Sequence, residues 1–231
     1  MLKFDPHIHS IYSCDSRSTP RDIIDRAEKI GLDAIAISDH NTIKGTQEAF
    51  KIAYHEKRDI IVVPSIEIST DKGHMIGLGV MEEIPKGLSA IETSDRIHEA
   101  GGLVIIPHPF SSYRHGLFCN TDPNMIVDGI ETKNARYIIG HSNKKAQHLA
   151  YNNRLATLGA SDSHFLESIG DCYTEVDTRG NHSIDGILNA IKHKRCKHAG
   201  KGTSNLLIAK EVFAKKILKK YPKREEYVKG I

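Results

Sequence analysis

The chain has 231 residues, of which 39% are hydrophobic and 26% charged, and its formal net charge is +3. This length and composition predict a single domain over residues 1–231 whose core is large enough to fold without disulfides. So small a net charge does not by itself indicate nucleic acid as a partner, and the chain has no apolar run of membrane-spanning length.

The cysteines argue for a reducing compartment. The chain has four, scattered without CxxC spacing, and we see no signal peptide in the sequence. We therefore expect a cytoplasmic protein with no membrane association. The oligomeric state cannot be read from the sequence.

Short apolar runs, several of them rich in β-branched residues, alternate with amphipathic segments along the chain. The runs that predict strands are 34–38, 60–68, 75–80, 103–107, 129–132 and 156–160. Since several are apolar on both faces, we expect parallel strands. The segments that predict helices after the first one are 46–57, 89–100, 143–153, 183–193 and 204–221.

The first helix carries clear boundary signals. Thr19 is a suitable N-cap, Pro20 fits the first helical position, and Gly31 ends the segment. The last helix, near 204–221, is expected to dock one apolar face and to turn its lysines to solvent. The residues of that predicted docked face are Leu206, Ala209, Phe213 and Ile217.

Alternating strands and helices in one domain leave a choice between a β/α barrel and an open doubly wound sheet. Histidines and acidic residues follow the ends of many different strands. Because barrel enzymes collect their reactive groups at such ends, this placement favours a TIM-like barrel.

Nine of these side chains are candidate metal ligands. Histidine and carboxylate ligands suit zinc, manganese or iron. The absence of cysteine among these candidate ligands argues against a closed structural zinc site. Taken singly, the histidines could serve hydrogen bonds and the aspartates could cap turns. The nine are His7, His9, Asp15, His40, Glu67, His74, His108, Asp162 and His164.

Glu67 is the most informative single residue because it lies inside the apolar run Ile66-Glu67-Ile68. An ionised carboxylate in a buried strand is costly unless it is paired, so a buried salt bridge is the main alternative to metal binding. Its two oxygens would allow Glu67 to bridge two ions.

The order and identity of these motifs resemble those of the PHP (polymerase and histidinol phosphatase) superfamily of metal-dependent phosphoesterases. The resemblance runs from about residue 3 to about residue 205 and implies a distorted seven-stranded β/α barrel with two or three divalent metal ions. The motifs that carry it are His7-Ile8-His9, Asp15, Ser38-Asp39-His40-Asn41-Thr42 with Gly45, Glu67, His74, Pro107-His108-Pro109 and Ser161-Asp162-Ser163-His164.

The resemblance also implies a ligand set for each of three ions. The three sets are His7, His9, Glu67 and Asp162; Glu67, His74 and His108; and Asp15, His40 and His164. Two ions that share Glu67 would hold a bridging hydroxide and direct it at phosphorus, so we expect Glu67 and Asp162 to be essential for catalysis.

Further side chains are expected to bind the phosphate and to protonate the leaving group. Cations near the mouth of the site would meet the charge that develops on the phosphoryl oxygens. The general acid is expected to be His115, with His141 as the alternative. The candidate substrate-binding residues are Arg17, Arg114, Lys133, Asn134 and Arg136.

Three functions fit this sequence. The favoured one is hydrolysis of a small phosphomonoester or nucleotide. A nuclease acting on DNA or RNA ends is the alternative, and it is disfavoured by the lack of tryptophan and an aromatic content of only 6%. A non-catalytic metal-binding regulatory module ranks last, since all nine ligands are present.

Overall fold

The computed structural model describes residues 1–111, 125–137 and 141–217. Within these residues the chain forms ten strands, six α-helices and one short 3-10 helix at Leu166–Ser168. The strands are β1 (Leu2–Ile8), β2 (Ala34–Ile37), β3 (Ile61–Val62), β4 (Ser65–Ser69), β5 (His74–Leu78), β6 (Leu103–Ile106), β7 (Gly129–Asn134), β8 (Ala156–Ala160), β9 (Cys172–Val176) and β10 (Cys196–Gly200). The helices are α1 (Pro20–Lys29), α2 (Lys44–His55), α3 (Ala90–Glu99), α4 (His141–Asn153), α5 (Ile184–Lys192) and α6 (Asn205–Ile217).

The described strands form two five-stranded sheets, with the orders β10-β9-β1-β2-β3 and β4-β5-β6-β7-β8. Pairing is parallel from β1 to β3 and from β6 to β8, and antiparallel at the remaining contacts. The prediction of a single seven-stranded TIM-like barrel is therefore wrong, because neither sheet of the described residues closes on itself.

Part of this error lies in the run 60–68, whose apolar pattern predicts one strand. Pro64 interrupts it, since proline has no N–H to donate to a sheet. The residues before Pro64 form β3 beside β2, whereas those after it form β4 beside β5. The chain thus passes from the first sheet to the second at this point, and a four-residue connection makes β4 and β5 antiparallel.

Strands β9 and β10 were also missed by the sequence analysis. β10 is a partly exposed edge strand whose residues Cys196-Lys197-His198-Ala199-Gly200 contain no apolar run, so it lacks the signal of a buried strand. It pairs antiparallel with β9, which in turn pairs antiparallel with β1. These strands extend the first sheet beyond its parallel part.

Apolar packing covers both sheets. Helices α1 and α2 pack their buried faces against the first sheet, for example through Ile24 and Ala49, and α3 and α4 pack against the second through Ile97 and Ala150. A further cluster joins side chains of both sheets to α5. The boundaries predicted for α1 are confirmed, because Thr19 caps Asp22 N and Pro20 is the first helical residue.

The predicted docked face of the C-terminal helix is wrong. Leu206 is 83% exposed and Phe213 is 57% exposed, whereas Ile208 and Glu211 are buried. The helix therefore does not bury the face that its apolar pattern predicts. It buries the face that carries Glu211, whose side chain forms an ion pair with Arg136. Predicted helical residues 218–221 lie outside the described part of the chain.

Among the described residues, no helix combines the length and apolar character needed to cross a membrane.

Candidate metal centre

The two sheets meet where the candidate ligands lie. An isolated bridge joins Ile8 to Ser163, and His9 N donates to Ser163 O at 2.8 Å. A second bridge joins His40 to Glu67. These contacts bring the ends of β1 and β2, in the first sheet, against β4 and the segment after β8, in the second.

His74 reaches the same edge by a different route from the one we expected. It stands at the start of β5 rather than after a strand, and its backbone pairs with Ser69 at the end of β4. Because β4 and β5 are antiparallel, the beginning of one lies beside the end of the other. The connection 70–73 therefore places His74 beside Glu67.

All nine predicted ligands lie in one continuous cluster. They form four overlapping groups, and within each group one potential ligand atom per residue lies within 4.8 Å of the others. The groups are His9, Asp15, His40 and His164; His7, His9 and Asp162; His7, Glu67 and His108; and His40, Glu67 and His74.

Glu67 lies at the centre of this cluster and its side chain is fully buried. Its Oε1 is 3.0 Å from His74 Nδ1 and 3.0 Å from His108 Nε2, and its Oε2 is 2.9 Å from His40 Nδ1. Burial opposes ionisation of Glu67, but the imidazoles of His40, His7 and His74 outweigh burial and hold its pKa well below the ordinary value. Both oxygens are therefore available as anionic ligands.

His7 and His9 direct their Nε2 atoms at each other across 3.0 Å. The Nδ1 atom of His7 donates to Glu131 Oε1 at 2.7 Å. Ser13 Oγ donates to Asp39 at 2.8 Å, so it accepts from His9 Nδ1 at 3.1 Å. With a proton on each Nδ1, the two Nε2 atoms would present lone pairs to the same space if both rings were neutral.

Such a pair of facing lone pairs needs a positive charge between them. Burial disfavours a charge on His7, but Glu131 and two further carboxylates outweigh burial and hold the pKa of His7 well above its ordinary value. Burial and the neighbouring rings of His164 and His40 hold the pKa of His9 well below its ordinary value. A divalent cation would supply the charge between these nitrogens, so the donor set fits a bound metal.

The group around Asp15 is the more open side of the cluster. His164 Nε2 lies 2.7 Å from Asp15 Oδ2, and His40 Nε2 lies 3.9 Å from Asp15 Oδ1. The side chains of Asp15 and His40 are 29% and 23% exposed, whereas Glu67 and His7 are fully buried. Among the described residues, solvent therefore reaches the cluster from this side.

Two candidate ligands stand on strained backbone. His108 and Asp162 have φ values of 29° and 51°, in a region that non-glycine residues enter at a free-energy cost. His108 N donates to Glu131 Oε2 at 2.7 Å, and Asn134 Nδ2 donates to Asp162 Oδ2 at 3.1 Å. These hydrogen bonds hold both ligands in orientations that the backbone alone disfavours.

Asp39, which ends β2 beside His40, is satisfied by protein groups. Its carboxylate accepts hydrogen bonds from Ser10 N at 2.7 Å, Ser10 Oγ at 2.5 Å and Ser13 Oγ at 2.8 Å. Protein groups thus satisfy Asp39, whereas its neighbour His40 lies in the candidate ligand cluster. Asp39 acts on the cluster through Ser13 and His9.

The predicted substrate-binding residues have different positions. Asn134 and Arg136 lie at the cluster and contact Asp162. Lys133 donates from Nζ to the carbonyl oxygen of Gly200, and Arg17 is half-buried in the loop that carries Asp15. Arg114 and the predicted general acid His115 fall outside the described residues, and the alternative acid, His141, is exposed at the start of α4.

Sequence reasoning missed three residues that hold the cluster in place: Glu131, Ser13 and Glu211. Glu131 had a signal, because it follows Ile130 in a buried strand just as Glu67 follows Ile66. Ser13 and Glu211 had none, since a loop serine and one acid in a lysine-rich helix are ordinary surface features.

Residues 140–196 match the family model described as PHP-associated. An uncharacterized protein of Methanocaldococcus jannaschii is 40% identical over 155 residues, which cover 63% of this chain and 89% of that relative. A protein of Haemophilus influenzae named 5'-3' exoribonuclease is 27% identical over 225 residues, which cover 89% of this chain and 74% of that relative.

Two solved structures share the fold. One is a two-domain protein of Bacteroides vulgatus containing a predicted PHP-like metal-dependent phosphoesterase, with TM-score 0.72, 21% identity, and coverage of 87% of this chain and 65% of that one. The other is endonuclease Q in complex with a 27-mer duplex bearing an abasic lesion, with TM-score 0.66, 18% identity, and coverage of 87% and 60%. This chain thus spans less than two thirds of either solved chain. The PHP-associated match over residues 140–196 and the order of the ligand motifs agree with the resemblance to the PHP superfamily, and the two solved structures show the same fold.

Proposed function

We propose that this protein is a metal-dependent phosphoesterase that hydrolyses a small phosphomonoester or nucleotide. The observation that carries the proposal is the convergence of nine histidine and carboxylate side chains from both sheets around the buried carboxylate of Glu67. The buried interior of a protein has no structural need for so many titratable groups. The cluster suits two or three divalent ions of zinc, manganese or iron.

Each ion would be held by part of the cluster. Bound divalent ions would supply an activated water and neutralise the phosphoryl oxygens. Glu67 is positioned to be shared between two ions. Its Oε1 faces His74 and His108, and its Oε2 lies 3.7 Å and 3.5 Å from Nε2 of His7 and His9. The proposed sets are His7, His9, Glu67 and Asp162; Glu67, His74 and His108; and Asp15, His40 and His164.

Buried polar residues would keep these ligands in place. Glu131 fixes the Nδ1 proton of His7, and Ser13 fixes that of His9, so both Nε2 atoms stay available to a metal. Asn134 holds one oxygen of Asp162 and leaves the other directed at His7 and His9.

The substrate phosphate would approach from the side of Asp15 and His40, which is the exposed part of the cluster. Arg17, close to Asp15 in the chain, is our candidate cation to meet the phosphate there, and Arg114 is a second candidate. His115 or His141 would protonate the leaving oxygen.

A nuclease that acts on RNA or DNA ends is the second candidate. One specific observation favours it: the relative named 5'-3' exoribonuclease aligns with 89% of this chain at 27% identity. The chemistry at phosphorus would be the same, and only the group beyond the scissile bond would differ. The composition, with no tryptophan and 6% aromatic residues, gives few base-stacking side chains and favours the small substrate.

The test combines metal analysis with a substrate panel. The purified protein would be analysed for bound metals and then assayed with added Mn²⁺ for phosphate release from phosphomonoesters and mononucleotides and for cleavage of short oligonucleotides. Two or three bound metals with phosphate release from small esters would support the proposal. Cleavage of oligonucleotides alone would favour the nuclease, and a protein that binds metal but hydrolyses none of these substrates would favour the regulatory module.

Variants make this test specific. Glu67→Ala and Asp162→Ala should abolish hydrolysis and lower the number of bound metals while the protein remains folded. Glu82→Ala, which removes an exposed carboxylate, is the matched control and should retain full activity. Near-normal turnover by Glu67→Ala would exclude the shared-metal arrangement.

A further inference from the structure

Helix α6 places one acidic side chain in a buried position. The side chain of Glu211 is fully buried, although its neighbours Lys210 and Val212 are exposed. A buried carboxylate on a helix with an exposed apolar face is unexpected, because burial of Leu206 or Phe213 would be more favourable. The orientation of the helix therefore depends on what Glu211 contacts.

Glu211 contacts Arg136, which follows β7. Its Oε2 lies 3.1 Å from Arg136 Nη2, and Ser168 Oγ donates to its Oε1 at 3.5 Å. The side chain of Arg136 is only 8% exposed, so this ion pair is screened little by water.

The other end of the same guanidinium contacts two candidate metal ligands. Arg136 Nη1 donates to Asp162 O at 3.4 Å, lies 3.7 Å from Asp162 Oδ1, and contacts His164 Nδ1. A continuous series of contacts thus runs from helix α6 through Arg136 to the cluster.

The charge of Arg136 creates a problem for metal binding that Glu211 resolves. A buried guanidinium beside Asp162 and His164 repels any cation held by those ligands, and the repulsion is strong where water is excluded. The carboxylate of Glu211 neutralises that charge on the side away from the cluster. Arg136 can then hold the two ligands without opposing the cation.

We propose that Glu211 is a positioning residue of the metal centre, through which helix α6 fixes and neutralises Arg136 beside Asp162 and His164. This inference rests on the proposed function only in taking Asp162 and His164 to be metal ligands. It assigns to the C-terminal helix a role in metal affinity beyond covering the fold.

Two substitutions of Glu211 separate charge from packing. Glu211→Gln keeps the size and removes the charge, whereas Glu211→Asp keeps the charge and shortens the side chain. Mn²⁺ affinity, measured by calorimetry without substrate, should fall about 10- to 100-fold in Glu211→Gln and less in Glu211→Asp. A role in packing alone gives the reverse order, because glutamine is nearly isosteric with glutamate.

A third variant addresses folding. Glu211→Gln leaves Arg136 as an uncompensated buried cation, which is destabilising. Arg136→Gln/Glu211→Gln removes both charges, so it should fold more stably and bind Mn²⁺ more tightly than Glu211→Gln alone. Weaker binding by the double variant would overturn the proposal.

The matched control is Lys210→Ala. Lys210 is adjacent to Glu211 on α6 and forms an exposed ion pair with Glu167 at 3.4 Å, and neither residue contacts a candidate ligand in the described structure. Its loss should leave Mn²⁺ affinity unchanged. If Glu211→Gln binds Mn²⁺ as tightly as Lys210→Ala, the positioning role is excluded while the phosphoesterase proposal stands.

Failure of the proposed function has a different signature. Tight Mn²⁺ binding by the wild type that weakens in Glu211→Gln, without hydrolysis of any substrate, would remove the enzyme proposal and retain the role of Glu211. Absence of Mn²⁺ binding by the wild type would overturn both.

Discussion

Glu131 accepts a hydrogen bond from Nδ1 of His7 at 2.7 Å, and its other oxygen accepts from the backbone N–H of His108 at 2.7 Å. One buried carboxylate thereby sets the tautomer of a candidate ligand on β1 and the backbone position of another after β6. Asn134 donates to the same carboxylate at 2.8 Å. The ligands from the two sheets are thus fixed relative to each other before any metal binds.

Replacing Glu131 should therefore weaken metal binding. In Glu131→Gln the neutral amide has only one oxygen, so it cannot accept from both His7 Nδ1 and His108 N. The tautomer of His7 is then no longer fixed. We expect Mn²⁺ affinity to fall about 10- to 100-fold, as is typical when a partner of a metal-binding histidine is removed. Calorimetric titration of Mn²⁺ into metal-free protein measures this change.

Glu175→Gln is the control for that variant. Glu175 lies on β9 and pairs with exposed Lys197 at 3.1 Å, so its replacement removes a carboxylate from a strand without touching the cluster. Its Mn²⁺ affinity should equal that of the wild type. Equal affinities for Glu131→Gln and Glu175→Gln would show that Glu131 does not orient the ligands.

Gly45 permits the close packing of α2 against the segment that holds His9. A Cβ atom at this position would lie 2.0 Å from Asp39 Oδ2 and 2.6 Å from Ser10 Oγ. Both atoms belong to the hydrogen-bonded group that fixes Ser13, so they cannot move without disturbing it. Gly45→Ala should lower the free energy of unfolding by about 1–3 kcal/mol or more.

Thermal unfolding of Gly45→Ala beside Gly202→Ala tests that expectation. A Cβ at Gly202 would meet its nearest neighbour, Ala135 O, at 3.6 Å, an ordinary contact. Gly202→Ala should therefore unfold close to the wild-type temperature. If Gly45→Ala did so too, the packing around Asp39 would be looser than these distances indicate.

Metal binding should depend on pH through His40. Burial disfavours the charged form of His40, but Glu67 outweighs burial and raises its pKa to about 9. The metal-free protein thus carries a proton on His40 at neutral pH that a metal must displace. Through His40 alone, apparent Mn²⁺ affinity should rise with pH by up to about tenfold per unit below pH 9.

The metal-free protein should show the opposite trend in stability. Because the pKa of His40 is higher in the folded state than the ordinary 6.5, its contribution is fully present below pH 6.5 and is lost as the pH rises toward 9. Unfolding temperatures measured with a chelator at each pH check the trend in stability, and Mn²⁺ titrations at each pH check the trend in affinity. His40→Gln should flatten both profiles, and unchanged profiles in that variant would assign the proton to another group.

Several members of the cluster stood out in the sequence because they break a local pattern. Glu67 interrupts an apolar strand, and His108 stands between two prolines after another. The same reasoning would have found Glu131, which also interrupts a buried strand. Ser13 and Arg136 were not predictable as supports, because their roles depend on contacts between residues far apart in the chain.

The sheet arrangement was less predictable than the ligands. Alternating elements indicate strands and helices but do not fix how strands pair, and short antiparallel connections such as 70–73 change the topology. Pro64 indicates a break between two strands, but the continuous apolar character of the run 60–68 favours one strand. His74 nevertheless reached the cluster, because an antiparallel β5 begins where β4 ends.

The C-terminal helix offers a direct comparison between the predicted and the observed buried face. Ile208 is 5% exposed, whereas Leu206, which the apolar pattern placed on the docked face, is 83% exposed. Truncating a buried isoleucine removes apolar contacts and leaves a cavity, so Ile208→Ala should lower the free energy of unfolding by about 2–5 kcal/mol. Leu206→Ala should change it by no more than about 0.5 kcal/mol. Denaturant unfolding of the metal-free variants measures both, and the reverse order would mean that α6 docks as its sequence pattern suggests, with Glu211 turned away from Arg136.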